Sequence, residues 1–84
     1  MLVVQFGGQY DVTPDDDADL PQAAVALYVG GEGDVAVADF QNHTAVFKDV
    51  PVGTWLYGQF RRVLDTGTDA TNIVAVTSPG TTVT

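Results

Sequence analysis

Short runs of alternating residues recur roughly every 10 positions along this chain, and glycine or proline stands between most of them. No stretch sustains the 3.6-residue period of an amphipathic helix. That punctuation confines the chain to an all-β fold, a small β-sandwich or a jelly-roll-like barrel. Ala23–Val29 alternates, with Val25, Leu27 and Val29 on one face and Ala24, Ala26 and Tyr28 on the other. Gly30-Gly31-Glu32-Gly33-Asp34 reads as a turn. Val35 to Phe40 alternates again, with Val35 and Val37 opposed to Ala36, Ala38 and Phe40. Gln41-Asn42-His43 is the next turn and Thr44–Val50 a further strand. Pro51 cannot donate to a ladder and marks its exit.

Thr54–Leu64 is the longest candidate strand. Leu56, Phe60, Arg62 and Leu64 fall on one face and Trp55, Tyr57, Gln59, Arg61 and Val63 on the other. Both faces carry large apolar groups, as in a strand held between a core and a second layer or a neighbouring subunit. Asp65–Asp69 reads as a hairpin-type loop in which Gly67 takes a positive φ. Thr71–Thr77 closes the set. Residues 19–78 form the β-domain on this reading, preceded by an extended arm over 1–18 and followed by a tail over 79–84. Within the arm, Met1–Phe6 has the pattern of a short strand broken by Gly7 and Gly8. Pro14 and the aspartates 15, 16, 17 and 19 favour an extended or mobile loop, an arm that reaches a neighbour or threads along its own sheet. The alternative is a helical turn starting at Leu20-Pro21, because Ala23, Ala24 and Ala26 are good helix formers.

The chain has 84 residues and no cysteine, so one small core must hold it without disulfides. Such a core supplies only about 3–5 kcal/mol. Apolar residues make up 45% of the chain and charged residues only 17%, against about 25% charged in ordinary globular chains. A small surface so poor in charge is expected to be covered in part by other subunits. The formal net charge is −8, with Lys48, Arg61 and Arg62 the only cations. Phosphate backbones and anionic membranes repel such a chain, so neither nucleic acid nor membrane is an expected partner. No apolar run approaches the roughly 20 residues of a membrane span. The first residues lack the basic region of a signal peptide, so synthesis and folding in a cytoplasm are expected.

Candidate chemistry is sparse. Asp15, Asp16, Asp17 and Asp19 offer carboxylate oxygens to calcium but lack the glycine and distal glutamate of an EF-hand loop, so a solvated acidic loop is the better reading. His43 and Ser78 are the only histidine and serine, and neither sits in a nucleophile-base arrangement. With no cysteine and one histidine, a zinc site lacks ligands. Asp39 and Asp49 lie near aromatic residues but at strand ends, where carboxylates face water. Gly30, Gly31 and Gly33 have neither the lysine nor the helix of a phosphate loop. No catalytic residue, metal site or cofactor site is expected, and the chain does not read as an enzyme. Interface residues are the remaining candidates: Trp55, Tyr57 and Phe60, of types enriched in binding hot spots, and Arg61 and Arg62, which adjacent strand positions would send to opposite faces.

From Asp19 the chain carries a series of short motifs in order. They are Asp19-Leu20-Pro21, Ala26-Leu27-Tyr28-Val29-Gly30 and Gly33-Asp34-Val35-Ala36-Val37. Then come Val46 to Thr54, Arg61 to Thr68 and Ala70 to Ala75. In this order and spacing the chain resembles the head spike base proteins of gene transfer agents and related tailed phages. It departs from them at Trp55, Tyr57 and Gly58, where a smaller residue and a proline-like kink are expected. The resemblance implies a non-enzymatic virion protein on the outer capsid surface. It implies a homo-oligomeric ring, pentameric by preference, that joins the major capsid protein to a spike or fibre protein. Two alternatives stand beside it: a decoration protein spread over the shell lattice, and a small carbohydrate-binding β-module that stacks Trp55 and Tyr57 on sugars.

Overall fold

A computed structural model describes residues 8–77. The strand expected over Met1–Phe6, the residues from Ser78 on and the tail over 79–84 lie outside them. The chain forms seven strands: β1 (Gly8–Asp11), β2 (Ala24–Gly31), β3 (Gly33–Ala38), β4 (Thr44–Val50), β5 (Thr54–Phe60), β6 (Arg62–Leu64) and β7 (Thr71–Thr77). They make two antiparallel sheets, one in the order β1-β7-β2-β5 and the other β4-β3-β6. The fold is all-β, and among the described residues there is no helix, including the turn weighed at Leu20-Pro21.

Several connections differ from their sequence reading because the chain changes sheet at them. The glycine-rich stretch after Val29, expected as a turn, is mostly strand and carries the chain from one sheet to the other. β2 continues to Gly31, Glu32 alone lies outside the strands, and β3 starts in the other sheet. Gly33 makes the corner at φ +150°, its α-carbon so close to Asp69 and Ala70 that a side chain has no room. Residues 65–70 likewise cross between sheets from β6 to β7, and Gly67 has φ +96°. Only β3 and β4 join as a hairpin within one sheet, and β3 stops at Ala38, leaving Phe40 exposed in the turn.

The run Thr54–Leu64 is two strands, not one. β5 belongs to the four-stranded sheet and β6 to the three-stranded one, with Arg61 as the crossing residue. The Arg61 backbone N–H donates to the Ala38 carbonyl at 2.8 Å, and its own carbonyl accepts from Leu20 N–H at 2.8 Å. Crossing there shifts the alternation by one residue: Leu56 and Phe60 are buried before it, Val63 after it. A bulge between Ala24 and Ala26 does the same to β2, so Ala24, Leu27 and Val29 enter the core while Val25 does not.

The inner faces meet in a core whose largest fully buried side chains are Leu27, Val29, Val35 and Val63. Phe60 packs edge-on against Phe47, ring centroids 6.5 Å apart, and Tyr10, Val12 and Leu20 close over the side. The acidic run follows one of the two courses expected for the arm: it is extended and tied along its own sheets, on the open side of the sandwich. After pairing with β7, β1 leads into a segment whose Val12 N–H donates to Ile73 O in the larger sheet. Its Asp15 N–H donates to Val63 O in the smaller one, both at 2.9 Å. The backbone thereby covers the β6 edge, which would otherwise show unpaired groups.

Candidate interaction surface

The outer face of the four-stranded sheet is built by register. Gln9, Val76, Ala26 and Tyr57 stand side by side across β1, β7, β2 and β5, and Asp11, Val74, Tyr28 and Trp55 form the next row. Period-2 alternation sends these side chains away from the core that Leu27, Ile73 and Leu56 fill. The first row carries no charge, and the second has one, at its β1 end. Trp55 is 45% exposed and Tyr57 69% exposed. The Tyr28 and Trp55 rings lie 5.1 Å apart at 59° and, with Gln9, Val74 and Val76, line a shallow apolar depression.

The five residues singled out as interface candidates therefore fall in three places. Trp55 and Tyr57 lie on this open face. Phe60 is 5% exposed and belongs to the core. Arg61 and Arg62 do not diverge to opposite faces, because the strand breaks at Arg61. Both converge on one oxygen of Asp19. Arg61 Nη1 donates to Asp19 Oδ1 at 2.8 Å, and Arg62 Nε and Nη2 reach the same oxygen at 2.8 and 2.7 Å. Arg61 Nε also donates to the Asp39 carbonyl, and Arg62 Nη1 to the Asp16 carbonyl. Asp16 accepts from the Thr66 N–H and hydroxyl at 2.8 and 2.6 Å. These bonds hold the Asp16 carboxyl below its usual range, Thr66 being the main cause. The Arg62 hydrogen bond is the main cause of the same effect at Asp19. Lys48 pairs with Asp34 at 3.1 Å. All three cations of the chain are thus engaged within the subunit, leaving neutral or acidic surface to a partner.

A second concavity lies by the β3–β4 turn, lined by Asp39, Phe40, His43, Gly58 and Gln59 among others. Asp39 Oδ1 accepts from the N–H groups of Gln41 and His43 at 2.8 and 2.9 Å, and Oδ2 faces His43 Nδ1 at 3.2 Å. Those bonds, the His43 N–H foremost, lower the Asp39 carboxyl, the reverse of what a general acid needs. The pair shapes the turn. Asp49, the other carboxylate considered, has its N–H bound to Asp34 Oδ1 at 2.9 Å in a φ +54° conformation. Asp15 caps its own loop through the N–H groups of Asp17 and Ala18. Among the described residues no three His, Cys, Asp or Glu side chains gather as a metal set.

The rows of the open sheet face were only half legible beforehand. Trp55 and Tyr57 stood out by type, but Val74, Val76 and Tyr28 join them only through strand order, which the sequence does not print. Comparison with known proteins adds a strong likeness. No family model and no curated protein matches the chain. Among solved structures, a chain of the capsid of a native gene transfer agent particle, computed with C5 symmetry, superposes with a TM-score of 0.77. It is 30% identical, and the match covers 86% of this chain and 83% of that one. With the same fold and that identity over nearly the whole length of both, the chain belongs to the family of this chain of the gene transfer agent capsid.

Proposed function

We propose that this chain is a non-enzymatic structural protein of a tailed phage or phage-like particle. It serves as a head spike base on the outer capsid surface, and a ring of copies, five by preference, seats a spike or fibre on the major capsid protein. The observation that carries this reading is the likeness to a capsid chain over 86% of the length. The chemistry of the chain fits: its cations are internally paired, its carboxylates organise turns, and its exposed aromatic face suits a permanent contact. Cryo-electron microscopy of the parent particle tests the proposal. Density for this chain beneath projections at the five-fold vertices is the expected result. Density repeated over the whole shell would make it a decoration protein. Absence from the particle would remove the virion role, and glycan binding lost on Trp55→Ala would then favour the carbohydrate-binding module.

A further inference from the structure

From the open face of the four-stranded sheet we infer that it receives the apolar segment Met1–Phe6 of an adjacent copy, so that each subunit grips the next. This inference rests on the ring reading above. The face exposes Tyr57 and Trp55, with Val74 and Tyr28 half-buried beside them and Val76 and Ala26 buried in the row of Tyr57, and Asp11 is its single charge. On a chain of net charge −8, copies repel except where both contacting surfaces are uncharged. Met-Leu-Val-Val-Gln-Phe is the matching piece: it holds no charge, and in an extended conformation Leu2, Val4 and Phe6 share one side. The chain enters β1 at Gly8, in register with Thr77 at the end of the sheet, one residue from the uncharged row.

Reach and symmetry agree. Seven residues before Gly8 span up to about 23 Å when extended. The four strands are about 14 Å across from first to last. A closed ring needs two different complementary surfaces on each subunit, because a self-complementary patch gives a pair. The segment and the face are two such surfaces. If the segment lay on its own subunit's face, both would be spent within one molecule.

Trp55 is the only tryptophan, which makes the contact directly readable. An acceptor chain lacking residues 1–6 keeps Trp55. A donor chain keeps residues 1–6 and carries Trp55→Phe, so it does not report. The acceptor is refolded from urea alone and with excess donor, and tryptophan emission and acrylamide quenching are recorded. The inference expects a blue shift and reduced quenching with donor, and neither with a donor that also carries Leu2→Asp and Phe6→Asp. No change on mixing overturns it. Full-length protein that shields Trp55 equally at every dilution, as a segment folded on its own subunit would, also overturns it. So does an acceptor that shields its own Trp55 by pairing face to face. Circular dichroism of each variant confirms the β fold. The two readings fail separately: on particles but without transfer of protection, the virion role stands and the contact falls. Transfer of protection by a chain absent from particles leaves the contact standing and the role refuted.

Discussion

Gly33→Ala tests the corner between the two sheets. Gly33 has φ +150°, a conformation that costs a side-chain-bearing residue about 1–3 kcal/mol. A β-carbon there would stand 2.6 Å from the Ala70 nitrogen, 2.8 Å from the Asp69 carbonyl carbon and 2.9 Å from the Ala70 α-carbon. All three are backbone atoms and cannot rotate away. The same backbone donates the N–H groups of Asp69 and Ala70 to the Asp34 carbonyl at 2.9 and 3.1 Å, so relief of the clash disturbs both bonds. Overpacking of this kind adds about 1–3 kcal/mol. Even the two lower limits sum to about 2 kcal/mol, a large part of the 3–5 kcal/mol that a core this small supplies. At about 4–8 °C per kcal/mol for a domain of this size, Tm should fall by at least about 8 °C. Gly8→Ala is the control, since its β-carbon would meet only Thr77 Oγ1 at 3.9 Å. Thermal unfolding followed by circular dichroism measures both. If Gly33→Ala melts within about 4 °C of Gly8→Ala, the close approach of the two corners is wrong.

The break at Arg61 predicts opposite outcomes for residues of one run: Phe60→Ala should cost about 3–5 kcal/mol in urea unfolding, and Tyr57→Ser less than about 0.5 kcal/mol. Leu27→Ala, at a side chain with no exposed surface, should cost about 2–5 kcal/mol and lower the folded fraction at room temperature. The carboxyls of Asp16, Asp19, Asp34 and Asp39 all lie below their ordinary range in the folded chain. Their stabilisation is therefore complete above the unfolded-chain value near pH 4 and is lost as pH falls through the lower folded values. The urea midpoint should drop from about pH 4 downward, and Asp19→Asn should start lower at pH 7 and drop less. Arg62→Ala should speed cleavage within residues 12–20 in limited proteolysis while leaving the two sheets protected, since it removes bonds to both Asp16 and Asp19.

Strand existence was legible here because it rests on local chemistry: Pro51 cannot continue a ladder, Gly67 tolerates positive φ, and Val35 and Val37 alternate with small residues. Strand partnership was not, because it rests on contacts between distant residues. The crossing at Arg61 left one trace, the change of buried parity from Leu56 and Phe60 to Val63, but Trp55 and Tyr57 made both faces look apolar and hid it. The bulge that removes Val25 from the core left no trace, since Ala24, Val25 and Ala26 all suit an unbroken strand. The tying of the acidic run along the sandwich was obscured for a different reason. Four aspartates in five positions read as mutual repulsion until the fold brings Arg61, Arg62 and Thr66 to them.

The chain changes sheet between β2 and β3, β4 and β5, β5 and β6, and β6 and β7. Neither half of the sandwich is therefore a continuous piece of sequence: the smaller sheet has all its strands once β6 is made, but the larger one is incomplete until β7. β1 must wait for β7, the last of the seven described strands to be made. Folding has to close these distant pairings nearly together, which places the subunit toward the slow, millisecond-to-second end for small domains. During that interval the edges of β4 and β5 are open to other chains. In a cell making many copies at once, folding and aggregation compete for these strand edges, and the pace of synthesis sets the yield of folded chains.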